Sequence, residues 1–478
     1  MTYQVPQHID KDKIFIVKRS EIEGRLDPHY NQSSFSELWG KVLSNPATIT
    51  TLKRNSICIF SGITPKSGGD AYVPDDGVPF VRSGDFSETN EIDFSKLLLL
   101  KNEVHNVLMA NSQLKKGDLL IAIVGATIGK IGVYQYENDA NINQAICAVR
   151  LKEALNPYYV QAFYQTNVGQ KIMDRIKRPV ARANINLEEV GNFPIPLLPL
   201  HKQQEIVEFM NEGRRQKRTK ETEAKLLLDS IDEYLLNELG INIPKSHNGI
   251  ESRMFIVQKK AIVGRYTPGL YKDAINLYSN IYENESLSHL AYINPNTKYQ
   301  GQSKDSKISF VPMEDVNEVY SEINDRKVCL IEDSKGFTRF QEGDLLWAKI
   351  TPCMENGKSA IAKGLTNGYG CGSTEFHVIR PKNSRLLVEY IHILLHMKIV
   401  RQTAKLYFGG SAGQQRVASD FLESFNVPLP SKTKQQDIVN YITNIRTRAK
   451  ALQAEGKAIL EDAKLKVEQM IIGKSQVR

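Results

Sequence analysis

Apolar positions in this chain follow two patterns, and each pattern occurs twice. The first is the short continuous run bounded by turn residues, which predicts a buried strand. Leu119-Leu120-Ile121-Ala122-Ile123-Val124 lies between Gly117-Asp118 and Gly125, and Ile131-Gly132-Val133-Tyr134 reads as the returning hairpin strand. Leu345-Leu346-Trp347-Ala348-Lys349-Ile350 repeats the arrangement ahead of Asn356-Gly357-Lys358. Asn-Gly there predicts a tight hairpin turn with positive φ at both positions. Asn156-Pro157, before Tyr159, Phe163 and Tyr164, predicts a helix with Asn as N-cap and Pro at its first position. Residues 386–399 predict the equivalent helix, with Asn383 in the capping place.

The second pattern is a heptad stripe with steps alternating four and three. It runs Ile206, Met210, Gly213, Lys217, Lys220, Ala224, Leu227, Ile231, Tyr234 after Pro196 and Pro199. It returns as Ile438, Ile442, Ile445, Ala449, Leu452, Gly456, Ile459, Ala463 after Pro428 and Pro430. A helix of about 40 residues is ~60 Å long and cannot cover such a stripe alone. The simplest partner for each is the other; two unrelated amphipathic helices, each packed on its own domain, are the alternative.

These repeats belong to a larger duplication. Ile14-Phe15-Ile16-Val17 with Gly24-Arg25 returns as Met254-Phe255-Ile256-Val257 with Gly264-Arg265. Gly117-Asp118-Leu119-Leu120 returns as Gly343-Asp344-Leu345-Leu346, and Lys202-Gln203-Gln204-Glu205-Ile206-Val207 as Lys434-Gln435-Gln436-Asp437-Ile438-Val439. The order is kept and the offsets stay between 226 and 240. The expected division is a first domain over 1–200, a long helix over 201–240, a linker over 241–253, a second domain over 254–431 and a second long helix over 432–478.

Composition narrows the class. With 41% hydrophobic and 24% charged residues in 478, the chain reads as a soluble globular protein of several domains. No apolar run approaches ~20 residues and the N-terminus has no signal-peptide core, so a cytoplasmic protein without a membrane partner is expected. Five scattered cysteines without Cys-x-x-Cys spacing argue against a disulfide framework or structural zinc. The net charge of +8 suits a polyanion partner without requiring one.

Catalytic motifs fail on spacing. Gly125-Ala126-Thr127-Ile128-Gly129-Lys130-Ile131 is one residue short of a phosphate loop, and a hairpin turn accounts for it. Asn156-Pro157-Tyr158-Tyr159 lacks the second proline of an adenine-methyltransferase motif, and no methyl-donor loop precedes it. His392 and His396 sit one turn apart without the glutamate of a zinc protease, and are read as surface or edge residues of a packed helix. Asp305-Ser306-Lys307 and Asp333-Ser334-Lys335 have the nuclease-like Asp-x-Lys, but the Pro74-Asp75 pair is remote from both. A non-enzyme with no catalytic residue, metal or cofactor of its own is expected.

The blocks Gly62-Ile63-Thr64-Pro65, Val78-Pro79-Phe80-Val81-Arg82-Ser83-Gly84-Asp85, Lys116-Gly117-Asp118-Leu119-Leu120, Asn143-Gln144, Phe193-Pro194-Ile195-Pro196-Leu197 and Gln203-Gln204-Glu205-Ile206 give the chain its resemblance to a known family. Phe310-Val311-Pro312-Met313, residues 343–346 and 350–358, and Val427-Pro428-Leu429-Pro430 continue it in the second copy. The chain resembles the DNA-specificity subunits of Type I restriction–modification systems. The resemblance implies an α+β fold: two mixed α/β target-recognition domains in pseudo-twofold arrangement, joined by two long helices forming an antiparallel coiled coil. It further implies that each domain reads one half of a bipartite site in double-stranded DNA, while the helices set the spacer and dock two methyltransferase subunits. Those subunits use S-adenosylmethionine, and motor–nuclease subunits complete a restriction enzyme for phage defence. Gly62-Ile63-Thr64-Pro65 has no clear counterpart beyond Asn294-Pro295, so the two half-sites should differ.

Phosphate contacts call for Lys and Arg on loops, and base contacts for Arg, Lys, Asn and Gln. The candidates are Lys66, Arg82, Arg178, Arg182, Asn184 and Asn186 in the first copy. In the second they are Lys298, Lys349, Lys358, Gln414, Gln415 and Arg416. Gly409 to Gly413 would let backbone approach a phosphate. Arg150 and Arg380, at the ends of matched strands, read as structural. The specificity subunit of a related phage-defence modification system, a non-DNA two-domain coiled-coil scaffold and a stand-alone methyltransferase are the competing readings.

Overall fold

The run after Gly117-Asp118 is unbroken because both faces of its strand are covered. Leu119 and Ile121 face a helical core with Tyr159, Phe163 and Ile172, whereas Leu120 faces a second core with Val81, Tyr134 and Ile142. The computed structural model describes residues 47–66, 70–87, 96–177, 184–243, 277–325, 327–410 and 414–472, with Ile92 and positions scattered between 14 and 35. The repeated block at 254–265 and most of the expected linker lie outside them. Two units emerge, residues 1–220 with 454–478 (unit 1) and 221–453 (unit 2), so each takes part of both long helices.

Unit 1 contains strands β1 (Thr48–Thr51), β2 (Ser56–Ser61), β3 (Tyr72–Val73), β4 (Val78–Val81), β5 (Leu98–Leu100), β6 (Leu119–Ala122), β7 (Ile131–Val133), β8 (Asn141–Ile142), β9 (Ile146–Leu151) and β10 (Pro194–Leu197). The central sheet has order β2-β9-β6-β7 and the second β3-β5-β4-β8, with β1 and β10 as a separate ribbon. Helices α1 (Pro157–Tyr164), α2 (Asn167–Ile176) and α3 (Leu187–Gly191) precede the long α4 (Leu200–Glu238). Asn156 caps α1 as its spacing predicts, accepting the Tyr158 N–H at 2.9 Å, with Pro157 at the first position.

Unit 2 repeats this plan. It holds β11 (Glu283–Ser286), α5 (Leu287–Leu290), β12 (Ala291–Ile293), β13 (Lys307–Val311), β14 (Lys327–Leu330), β15 (Thr338–Gln341), β16 (Leu345–Ala348), β17 (Ser359–Ile361), β18 (Tyr369–Gly372) and β19 (Phe376–Pro381). Then come α6 (Val388–His396), α7 (Lys398–Lys405), β20 (Phe408–Gly409), β21 (Arg416–Val417), α8 (Ser419–Ser424), β22 (Asn426–Leu429) and the long α9 (Lys432–Ile472). Its central sheet, β12-β19-β16-β17, matches that of unit 1 strand for strand, but its second sheet, β14-β13-β18-β15, gains β15 where unit 1 has β3 on the opposite edge.

The same fastenings recur. Arg150 grips Asp118 through Nε and Nη2 at 2.8 Å each, and Arg380 grips Asp344 at 2.7 and 2.8 Å. The Tyr159 hydroxyl donates to the Pro196 carbonyl at 2.7 Å, and that of Tyr390 to Pro428 at 2.7 Å.

Four expectations need correction. Residues 386–399 are not one helix: α6 ends at His396 and α7 restarts at Lys398, with Met397 extended between them. Asn383 does not cap α6; its side chain accepts the Arg385 N–H at 2.9 Å, while the Leu387 N–H is taken by Gln435. Asn356-Gly357 is not a two-residue hairpin, because β16 ends at Ala348, β17 begins at Ser359 and only Gly357 has positive φ, 87°. His392 is buried and His396 half-buried rather than at the surface, because unit 2's own long-helix segment packs over what an isolated α6 would expose.

The heptad stripes do pack on each other, antiparallel within each unit. In unit 1, Ile206 and Met210 of α4 join a core with Val467 and Ile471 of α9, and Gly213 faces Ala463. In unit 2, Ala224 meets Ala449, and Tyr234 stacks on Tyr441 at 4.1 Å between ring centres. Small residues at these positions bring the two backbones close. Among the described residues no helix is long and apolar enough to cross a membrane.

Candidate functional site

In each unit, five loops leave the same end of the paired sheets, opposite the Arg150–Asp118 and Arg380–Asp344 grips. They follow β2 or β12, β4 or β13, and β6 or β16, enter β9 or β19, and precede α3 or α8. Backbone hydrogen bonds bind them to one another in the same way twice. The Asn143 N–H donates to Val81 at 3.1 Å and the Ser373 N–H to Val311 at 3.2 Å. The Ile185 N–H donates to Ile123 at 3.0 Å and the Val417 N–H to Lys349 at 2.9 Å. Gly62 is required for this closeness, since a Cβ there would lie 1.6 Å from the Ile142 carbonyl oxygen.

All described candidates fall on these loops. Lys66 is exposed just past β2, where the Thr64 hydroxyl donates to the Gln144 side chain. Lys298 is exposed at the equivalent exit of β12. Asn184 is exposed and bridges Val124, in the place that Arg416 takes against Ile350 in unit 2. Gln414 is exposed, and the Gln415 carbonyl accepts the Thr351 N–H at 3.0 Å. Lys349 is half-buried at the end of β16. Arg178, Arg182 and residues 411–413 lie outside the described residues.

Four candidates already hold intramolecular partners. Arg82 donates to both carboxylate oxygens of Asp85, at 3.2 and 2.9 Å, and this ion pair raises its pKa. Arg416 does the same with Glu375 at 2.7 to 3.1 Å, and holds the Glu375 carboxyl below its ordinary value. Lys358 Nζ donates to the Met313 carbonyl at 3.1 Å, much as Lys130 Nζ donates to Phe86 at 2.8 Å. Asn186 caps α3, accepting the Glu189 N–H at 2.7 Å. Such side chains fix the loops and retain only part of their capacity for a ligand.

One residue escaped a search confined to loops. Arg339 lies on β15 and borders a 340 Å³ cleft with Asn296, Thr338 and Lys349. Its signal was the alternation in Thr338-Arg339-Phe340-Gln341, where Phe340 is fully buried and Arg339 consequently faces outward. Its guanidinium lies 5.0 Å from the Tyr299 ring centre. Unit 1 has Gln113 at the matching position, with its amide turned to the His105 carbonyl at 3.2 Å. The two units thus share a frame and differ in what it presents.

Comparison with known proteins agrees with the duplication. The family model for the Type I restriction modification DNA specificity domain matches residues 55–226 and again 283–461. The specificity subunit of Type I restriction enzyme EcoEI from Escherichia coli is 35% identical over 187 residues, 39% of this chain and 31% of that protein. That of EcoAI, also from Escherichia coli, is 32% identical over 187 residues with the same coverage. The match therefore spans about a third of these relatives' length. A solved chain from work on complex assembly and conformational transition of the type I R-M system aligns over 89% of this chain and 97% of its own, at 15% identity and a TM-score of 0.48. With two matched segments that together cover most of its length, the chain belongs to the Type I restriction–modification DNA specificity family.

Proposed function

We propose that this chain is the DNA-recognition subunit of a Type I restriction–modification complex and does no chemistry itself. Each unit reads one half of a bipartite, asymmetric site in double-stranded DNA through the loop end described above. The paired long helices set the spacer between half-sites and dock two methyltransferase subunits, to which motor–nuclease subunits add restriction. The recognition domains correspond to residues 1–200 and 254–431, and the complex works in the cytoplasm.

The observation that carries this reading is the convergence of polar and cationic side chains from separate loops on the same end of both units, on a central sheet of the same strand order with matching loop-to-loop hydrogen bonds. A protein reading one site with two domains needs that combination of common scaffold and divergent contacts. Each good bidentate base contact gives ~1–3 kcal/mol of discrimination, too little for one small domain in a genome. Two linked domains multiply their selectivity when their separation is fixed.

Methylome sequencing tests this in cells carrying the cognate methyltransferase, with and without this chain. Adenine methylation at one split, asymmetric motif should vanish with the chain; an unchanged methylome rejects the proposal.

A further inference from the structure

Eleven residues beyond Gln203 and Gln435 stand Arg214 and Arg446, at equivalent places on the two long helices. The two guanidinium groups have different surroundings. In unit 1, Arg214 donates to Asn211 Oδ1 at 2.8 Å and to Gln165 Oε1 at 2.7 Å. Burial pushes its pKa down to about 10, and the two neutral amides replace lost water.

In unit 2 neither amide is present. Thr443 stands where unit 1 has Asn211, and His396 where it has Gln165. The His396 imidazole is kept neutral, by burial first and then by Arg446 and Arg401, and its Nε2 donates to the Glu318 carbonyl at 3.1 Å. Burial lowers the pKa of Arg446 as well, opposed by Glu322, but the Glu322 carboxylate is bound to Lys450 at 2.7 Å. Among the described residues no hydrogen bond or ion pair satisfies the Arg446 guanidinium.

Arg446 instead lines a cavity of 440 Å³ that lies wholly within unit 2. Its wall carries four cations, Lys327, Lys363, Arg446 and Lys450, against three carboxylates, Glu322, Asp325 and Glu389. Lys363 and Lys450 are paired with Glu389 and Glu322 at 2.7 Å and Lys327 with Asp315 at 2.9 Å, which leaves Arg446 as the cation of this wall without an ion pair among the described residues. Thr443 and Thr447 bring hydroxyls to the same wall, and Phe310 and Ile361 bring apolar surface. A partly desolvated guanidinium without an acceptor, beside open volume, complements an oxyanion with bidentate geometry. The volume falls in the range of small-molecule sites.

We propose that this cavity binds a small organic anion, a carboxylate or phosphate group on an apolar body, with Arg446 holding the oxyanion. The site is a property of unit 2 alone, because unit 1 satisfies the same arginine internally.

Thermal unfolding of the full chain in benzoate, phenyl phosphate or chloride at equal ionic strength tests it. Benzoate or phenyl phosphate should raise the midpoint by about 2–4 °C over chloride at saturation, and which of them does so assigns the anionic group. Arg446→Gln should abolish the shift. The double substitution Thr443→Asn with His396→Gln supplies the acceptors of unit 1, keeps the charge, and should abolish it too. Organic anions that act no differently from chloride overturn the proposal, as does a shift that persists in the folded double variant.

Discussion

Gln203 accepts the backbone N–H of Asn156 on its Oε1 at 2.8 Å, and donates from Nε2 to the carbonyls of Ala154 and Leu198 at 3.0 and 2.8 Å. Gln435 does the same in unit 2, with Leu387 at 2.9 Å and the carbonyls of Arg385 and Pro430 at 2.7 and 3.0 Å. Both side chains are fully buried. One amide thus ties the long-helix start to the loop before α1 or α6, and fixes how each helix leaves its domain. Gln203→Ala or Gln435→Ala strands three backbone groups and should cost about 2–3 kcal/mol, read from the midpoint of urea unfolding. A loss under ~0.5 kcal/mol would mean that water replaces the amide freely.

The helix seam gives a second prediction. A Cβ on Gly213 would lie 2.6 Å from the Cβ of Ala463. Alanine favours a helix over glycine by about 1 kcal/mol, yet the clash should dominate and Gly213→Ala should destabilise unit 1 by about 1–3 kcal/mol. Ala463→Gly in the same chain should recover part of the loss. Additive effects of the two substitutions in calorimetry would contradict the contact.

Acid should weaken unit 2 in a way that unit 1 does not share. Burial, then Arg446 and His396, hold His392 well below its ordinary pKa, and His396 is pushed down to about 3. The unfolded chain takes up protons at these positions below pH ~6.5 whereas the folded chain does not. Their stabilising contribution is therefore complete above that pH and declines as pH falls towards 3, by about 1.4 kcal/mol per unit for each histidine. Unit 1 has Gln161 and Gln165 at these places. The combination His392→Gln with His396→Gln should flatten the dependence by about 2 kcal/mol between pH 7 and 5.5, measured by denaturant unfolding across that range.

Much of the frame was legible before any coordinates. Strand runs at 119–124 and 345–350, the heptad stripes and the Lys-Gln-Gln entries each rest on local spacing, which sequence records directly. Contacts that close over long separations were not legible. The Arg416–Glu375 pair spans 41 residues, and nothing near Arg416 in sequence reveals that its charge is already matched. Arg82–Asp85, at i and i+3, is by contrast a local pair that spacing alone can reveal. His392 failed for the same reason as Arg416: the surface that buries it comes from another part of unit 2.

Arg339 is the sharpest test of the cleft in unit 2. Its side chain borders the cleft and makes no ion pair among the described residues, and Lys349 lies on the same lining. Arg339→Ala should relax one or two positions of a single half-site, by about 10- to 100-fold in methylation preference, and leave the other half-site unchanged. Equal relaxation of both half-sites, seen by methylome sequencing, would remove Arg339 from base reading.

The central claim is that the two recognition domains read independently on a common frame. Replacing residues 1–200 with the recognition domain of another specificity subunit, and sequencing the methylome made with the cognate methyltransferase, tests it most directly. The account predicts a new first half-site with the second half-site and spacer length retained. A change in both half-sites together would contradict it.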